Sequence, residues 1–390
     1  MPTDRPVILA FVAGYIPGYK AGGPIRSITE LARALAGTFE LRIVTADRDL
    51  GDSEQYPGIT PGEWTPVREA LVLYTSPEQR RMMALRRSLA ATAYDVMYLN
   101  SLFATDFTLK PLVLRRLGLV RRTPVVIAPR GELSPGALQI RRMKKRIFLA
   151  LAQAVGLYRG VIWHATSSDE REEIRRWFGE RAVVHLARNL PQRVNTLPPR
   201  AAPKRPGHLR VVFLSRISPK KNLAGAIDML AAVAGTGTIQ ADVYGPLEDA
   251  EYWATCEAKI RRLPPNITVD YRGSVRPEDV ASLMREYDVF LFPTHGENHG
   301  HVIAEALAAG VPPIVSDRTP WRDLGERGAG CVAALERPQE FTAALERFLG
   351  MDDTELAVWS DAAHAYAVRV FASSDAMDST VAMFNSATGR

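Results

Sequence analysis

Residues 294–317 read T-H-G-E-N-H-G-H-V-I-A-E-A-L-A-A-G-V-P-P-I-V-S-D, directly after the apolar run Val289-Phe290-Leu291-Phe292, which stops at Pro293. Four large apolar residues in a row, without alternation, are the pattern of a strand covered on both faces. The polar segment that follows holds Gly296 and Gly300, which permit tight backbone geometry. From His301 to Ala309 the pattern predicts a short apolar helix, ended by Gly310 and Pro312, and Pro313 to Ser316 predicts a second buried strand. The unit carries two carboxylates, Glu297 in the loop and Glu305 in the helix, with seven residues between them. Loops above the carboxyl ends of strands are where open α/β sheets bind ligands. A carboxylate on a helix made otherwise of Val302, Ile303, Ala304, Ala306, Leu307 and Ala308 is costly to bury unless hydroxyls or cations meet it. A sugar and a ribose suit both acids, and the amides of Gly300 and His301, which open the helix, suit an anion or a hydroxyl. The competing reading leaves Glu305 solvated on an outward face.

A chain of 390 residues is long enough for two domains. With 46% hydrophobic and 24% charged residues the composition is that of an ordinary globular protein. Two cysteines, Cys256 and Cys331, give no disulfide framework and suit a reducing, cytoplasmic setting. The start of the chain lacks the pattern of a signal peptide, and no apolar run approaches the length of a membrane span.

The first half alternates short apolar runs with helix-length segments: strands at 7–12, 41–45, 70–74, 96–100, 124–128, 161–165 and 183–187, and a helix at 27–35. This order implies a parallel sheet. The segment 195–207 holds four prolines and no apolar periodicity, and marks the domain boundary. A second set of strands follows at 209–214, 241–244 and 267–271, and the tail at 362–384 reads as helix.

The central stretch resembles the donor-binding motif of retaining GT-B glycosyltransferases of family 4 (group 1). Their pattern is Glu, seven residues, Glu, with Phe-Gly soon after the first Glu and then Glu-Ala-(Met/Leu)-Ala-x-Gly-x-Pro. Gly300, Glu305-Ala306-Leu307-Ala308, Gly310 and Pro312 fit, while His299 stands where the family has Phe. The resemblance implies an α/β fold of two Rossmann-like domains facing across a cleft: residues 1–195 for the acceptor and 205–364 for the nucleotide sugar, with 365–390 crossing back to the first. It implies that Glu297 contacts the donor sugar and Glu305 the ribose, with Asn298, His299, Gly300 and His301 lining the donor side.

Four further places bear on the resemblance. After strand 209–214 comes S-R-I-S-P-K-K-N-L, with Arg216 and Lys221 at the mouth of a sheet. Two fixed cations there suit a diphosphate, Arg by its fork and Lys as a point charge; otherwise they are solvated loop charges. The family has Gly-Arg-Leu, three residues, Lys-Gly here, and its Arg and Lys bind the donor diphosphate; Ser215 and Asn222 replace the glycines. Gly22-Gly23 follows a strand and opens a helix, so it is either a simple tight turn or a cradle for phosphate; in the family such a pair lies beside the diphosphate and the acceptor, with Lys20 and Arg26 near. Arg130 occupies the place of a family histidine facing the donor sugar. A fixed cation there would hold an anionic group, and the alternative is a structural arginine paired with Glu132. Gly273 ends the strand at 267–271, where the family places the nucleobase.

The resemblance thus implies transfer of a sugar from a nucleotide-diphosphate donor to an acceptor hydroxyl, with retention. No metal or other cofactor is expected, because the two cations take its part; His295, His299 and His301 sit on a glycine-rich loop, a poor cage for a metal. The alternatives are a nucleotide-sugar epimerase or hydrolase of the same fold, or a non-catalytic binder of nucleotide sugars.

The net charge of +6 hides an asymmetry: residues 1–200 carry 30 basic and 18 acidic side chains, and residues 80–146 carry 15 and 3. Either this is a solvated face, or it attracts an anionic membrane surface or a phosphate-bearing acceptor. A helix over 137–152, basic and amphipathic, is the best membrane candidate. Nucleic acid is not expected, because no recognition motif accompanies the basic pairs. A glycan or lipid-linked acceptor in cell-surface polysaccharide or glycolipid assembly, at the inner face of a membrane, follows as the expectation.

Overall fold

The computed structural model describes residues 5–134, 137–138, 142–190, 197, 199–235 and 237–389. Contacts divide the chain into two units, Met1–Pro191 with Ser374–Arg390, and Gln192–Ser373.

The first unit runs β1 (Val7–Phe11), α1 (Gly23–Leu35), β2 (Glu40–Ala46), β3 (Trp64–Val67), β4 (Ala70–Thr75), α2 (Met82–Ala91), β5 (Val96–Leu99), α3 (Lys110–Arg116), β6 (Val125–Ile127), α4 (Arg142–Ala154), β7 (Val161–Ala165), α5 (Ser168–Phe178) and β8 (Val183–Leu186). The sheet order is β3-β4-β2-β1-β5-β6-β7-β8. All its pairs are parallel except β3 with β4. The sequence pattern missed β3 because Pro66 interrupts it; an edge strand tolerates a residue that cannot donate to the ladder. β5 shows why the central strands read as unbroken apolar runs: Val96, Met97, Tyr98 and Leu99 are all fully buried, since helices cover both faces. Helix α4 is described from Arg142; Ala137 and Leu138 of the expected helix are helical as well, and residues 139–141 lie outside the described residues.

The second unit runs β9 (His208–Leu214), α6 (Leu223–Ala231), β10 (Thr238–Tyr244), α7 (Ala250–Ile260), β11 (Ile267–Gly273), α8 (Val280–Met284), β12 (Val289–Phe292), α9 (His301–Ala308), β13 (Pro313–Ser316), β14 (Cys331–Ala333), α10 (Pro338–Gly350) and α11 (Asp353–Phe371). Its sheet, β11-β10-β9-β12-β13-β14, is parallel throughout.

The expected tail is corrected in one respect. Helix α11 is continuous to Phe371 and belongs to the second unit, where Leu356, Ala363 and Ala367 join that core. The chain changes unit at Ser374, and α12 (Asp375–Thr388) returns to the first, not the segment from 365 onward. Phe384 of α12 is fully buried there, its ring 5.8 Å from that of Phe39 and 5.5 Å from that of Tyr98. At the other boundary, residue 195 lies outside the described residues. No described helix is long and apolar enough to cross a membrane.

In each sheet the order reverses beside the first strand of the unit, between β1 and β5 and between β9 and β12. Connections leaving those strands on opposite sides open a crevice at their carboxyl ends, the place where such sheets bind ligands.

Candidate active site

In the second unit that crevice is bordered by the loop after β9 (215–222) and the loop after β12 (293–300). The two loops are tied together. Asn222 takes a left-handed backbone, φ 60°, which asparagine adopts at less cost than most residues. In that pose its side chain accepts from Gly225 N at 3.2 Å, capping α6, and donates Nδ2–H to Pro293 O at 2.8 Å. It supplies the conformation a glycine would give and adds a cross-link between the loops. His295 N donates to Lys220 O at 2.9 Å, a second tie.

This scaffold brings Lys221 and Glu297 together. Lys221 Nζ lies 2.5 Å from Glu297 Oε1, both side chains mostly buried, and 5.5 Å from the centre of the Phe292 ring. Thr294 Oγ also donates to Glu297 Oε1, at 3.2 Å, and Ser316 Oγ holds Thr294 O at 2.6 Å. A charged pair with an aromatic floor and a hydroxyl at its edge is a compact site for an anion and for hydroxyls. Arg216 is arranged differently: its guanidinium reaches Glu248 Oε1 at 2.8 Å on the exposed rim.

Helix α9 opens at Gly300, whose φ of +74° favours glycine; a Cβ there would also lie 2.8 Å from Ile303 Cδ1 and 3.2 Å from Trp321 Nε1. Trp321 is buried and donates Nε1–H to His299 O at 2.6 Å, which fixes the turn before the helix. The His299 and His301 rings meet edge to face with centres 4.5 Å apart. Burial, and then the charge of Arg318, lowers the pKa of His295. Glu305 is buried on α9, so the solvated alternative fails. Asn298 lies between Glu297 and His299 on the same loop. Gly273 stands apart, at the end of edge strand β11, two strands from β9. It leads into a shallow concavity of about 520 Å³ bordered by Ser274, Val275, Arg276 and Glu286.

In the first unit, Gly22 (φ 66°) precedes α1 and Gly23 is its first residue; a Cβ on Gly22 would meet nothing within 4 Å, so conformation rather than space calls for glycine. The loop before it is anchored by buried Asp49, which accepts from Tyr19 N at 2.8 Å and Lys20 N at 3.1 Å. Nothing local in the sequence marks that carboxylate. Lys20 pairs with Asp52 at 2.5 Å, and burial brings the Arg26 guanidinium down to about 10.

Arg130, after β6, does not pair with Glu132, whose carboxylate accepts from Ser101 Oγ and the amides of Leu102 and Phe103. It too has a left-handed backbone, φ 56°. Its Nε–H goes to Asn100 Oδ1 at 2.5 Å, Nη1 to Asn189 Oδ1, and Nη2 to the Tyr98 hydroxyl at 2.7 Å. Tyr98 in turn lies 3.0 Å from His164 Nδ1, and His164 Nε2 lies 2.8 Å from Ala187 O. A carbonyl can only accept, so Nε2 carries the proton, Nδ1 accepts from Tyr98, and the phenol oxygen accepts from Arg130. Burial, reinforced by the Arg130 charge, pushes His164 down to about 3 and keeps it neutral. Among the described residues, the hydrogen-bond partners of the guanidinium are neutral acceptors. Tyr98 and Asn100 went unmarked in the sequence; a tyrosine and an asparagine closing an otherwise apolar strand were the available signal.

A family model described as "Glycosyl transferases group 1" matches residues 199–364, and one described as "Glycosyl transferase 4-like domain" matches residues 22–189. Among curated relatives, a phosphatidyl-myo-inositol mannosyltransferase of Mycobacterium leprae is 30% identical over 41% of this chain and 45% of its own. A GDP-mannose-dependent alpha-(1-6)-phosphatidylinositol dimannoside mannosyltransferase of Mycobacterium tuberculosis is 28% identical over 36% of this chain and 35% of its own. The matched segment thus spans less than half the length of these relatives. Among solved structures, Anabaena HepE in complex with UDP-glucose has a TM-score of 0.70 at 18% identity, covering 98% of this chain and 100% of that one. Sucrose-phosphate synthase from Thermosynechococcus elongatus has a TM-score of 0.71 at 16% identity, covering 97% and 98%. At these identities the likeness shows the fold.

Proposed function

The chain belongs to the group 1 glycosyl transferases, and from that premise we propose that it is a retaining enzyme moving a sugar from a nucleotide-diphosphate donor to an acceptor hydroxyl. The observation that carries the reading is the Lys221–Glu297 pair at the strand-order reversal, 2.5 Å apart and mostly buried. An arriving diphosphate competes with Glu297 for the ammonium, and Glu297, so released, is an acceptor for sugar hydroxyls. Lys221, with Arg216 swung from Glu248, offsets the charge that develops as the diphosphate leaves. Glu297 orients the sugar and buried Glu305 the ribose, a contribution of positioning. Asn298, His299, Gly300 and His301 border the sugar and Gly273 the base; in the first unit, taken by itself, Gly22, Gly23 and Arg130 are places for an anionic group. No metal has a part in this reading.

Two relatives carry phosphatidylinositol in their names, which favours a lipid-linked acceptor and a place in cell-surface glycolipid or polysaccharide assembly, on the inner face of a membrane. The test is a thermal-shift screen of nucleotide sugars, followed by donor turnover with lipid-linked and soluble acceptors. Release of the nucleotide that depends on acceptor supports transfer. Donor consumption in buffer alone would favour an epimerase or hydrolase, and binding without turnover would favour a non-catalytic binder.

A further inference from the structure

Helix α4 turns Lys145, Phe148, Leu149 and Ala152 inward. Leu149 and Ala152 are buried, the Phe148 ring packs 5.8 Å from that of Phe103, and Lys145 Nζ donates to Ala137 O at 2.7 Å. Its other side carries Met143, Ile147 and Leu151, which are 72%, 53% and 62% exposed; Val155, in the turn that continues the helix through a 3.0 Å bond to Leu151 O, is 67% exposed. Steps of four place all four side chains in one line about 18 Å long. Lys144 and Arg146 stand exposed beside it. At its far end the Arg116 guanidinium lies against Gly156, where a Cβ would be 3.1 Å from Nη2 and 3.9 Å from Arg159 Cβ, and the neighbouring Leu117 is also exposed. From 107 to 168 the sequence holds twelve Lys and Arg and a single acid, Glu132, whose carboxylate is engaged by Ser101, Leu102 and Phe103.

We propose that this ridge is the surface by which the protein lies on an anionic lipid bilayer. The line of Met143, Ile147, Leu151 and Val155 sits in the boundary of the acyl chains, and Lys144, Arg146 and Arg116 meet the headgroup phosphates. The combination selects the partner. Apolar area in a narrow line, flanked by cations, is what an interfacial helix presents to charged lipid. A second copy of the chain would bring like charges together, and a single row of side chains falls short of the roughly 800 Å² per partner of a stable interface. A nucleic acid would meet the cations and leave the apolar row in water. The proposal rests on the membrane part of the function given above and not on its sugar chemistry, because docking is read with no donor present.

The test floats the full chain with vesicles of phosphatidylcholine, with and without phosphatidylglycerol. Expected are at least tenfold tighter partition to the anionic vesicles, and at least tenfold loss in Ile147→Ser/Leu151→Ser and in Lys144→Glu/Arg146→Glu, with melting and turnover of a soluble acceptor unchanged. No binding, equal binding to neutral vesicles, or wild-type binding by Ile147→Ser/Leu151→Ser would overturn it. So would a dimer in sedimentation velocity that the same pair abolishes, since a second copy would then be the occupant. Should the double variants not melt cooperatively, Leu151→Cys labelled with an environment-sensitive dye carries the test. A blue shift on anionic vesicles supports the proposal and its absence overturns it. Docking without transfer in the same preparations would sink the enzymatic reading and leave the ridge standing.

Discussion

The loop after β9 and the turn after β6 each hold a cation beside a non-glycine residue in left-handed backbone, Asn222 in one and Arg130 itself in the other, but they treat the charge in opposite ways. Lys221 is neutralised by Glu297, whereas Arg130 is held by Tyr98, Asn100 and Asn189, none of which carries a charge. An anion reaching Lys221 must displace or share an existing partner. An anion reaching Arg130 meets a guanidinium already fixed in place, with the nearby Glu170 carboxylate engaged by the Gly131 amide. The first arrangement suits a group released and recaptured in each turnover, the second a fixed positive field. The two cations are therefore not interchangeable.

Four measurements test this contrast. The largest effect is expected from Lys221→Ala, which should lower kcat about a hundredfold, the magnitude typical of removing one group that stabilises developing negative charge; unchanged steady-state kinetics would remove Lys221 from the site. Arg130→Lys should lower kcat/KM about tenfold, or about 1.4 kcal/mol. The charge is kept, but an ammonium cannot span three acceptors placed for a fork, so wild-type rates would mean that the fixed geometry has no use.

The third concerns His164. Its folded pKa, about 3, lies below the value of about 6.5 expected when unfolded. Between those values the unfolded chain binds the extra proton, so stability falls as pH falls through that window, by up to about 1.4 kcal/mol per pH unit, and is level above it. Denaturation midpoints of the protein and of His164→Asn, compared from about pH 7 to about pH 5, should diverge in slope; parallel profiles would show that the ring titrates in the folded state. The smallest effect belongs to the rim. Glu248→Gln breaks the exposed pair with Arg216 and should shift unfolding free energy by less than about 1 kcal/mol. A larger loss in denaturant titration would show that Arg216 is as firmly held as Lys221.

Much of the fold was legible because it rests on local pattern. The run Val289–Phe292, the turn at Gly300 and the apolar helix after it announce a parallel strand–loop–helix–strand unit wherever they occur. Spacing also placed Arg216, Lys221, Glu297 and Glu305 at loop and helix positions on the same sheet. The departures from the family pattern at Asn222 and His299 could be noted but not explained from sequence. It takes the backbone to see that Asn222 adopts a glycine conformation and bridges to Pro293, 71 residues on. The same holds for Arg130, whose local neighbour Glu132 was the obvious partner and turned out to serve the amides of Leu102 and Phe103.

Local pattern alone gave the strands other than β3 and β14, the loops that leave their carboxyl ends, and the cations and carboxylates that stand there, because burial periodicity and turn chemistry act over a few residues. Only the tertiary structure decided who meets whom. It paired Lys221 with Glu297 across 76 positions, set Arg130 among acceptors 30 to 59 positions away, and turned Met143 and Ile147 of α4 outward while Phe148 and Leu149 faced the core. The physical reason is that a helix pattern defines its faces but not which face is covered, and that a polar side chain is satisfied by whatever the fold brings within about 3 Å.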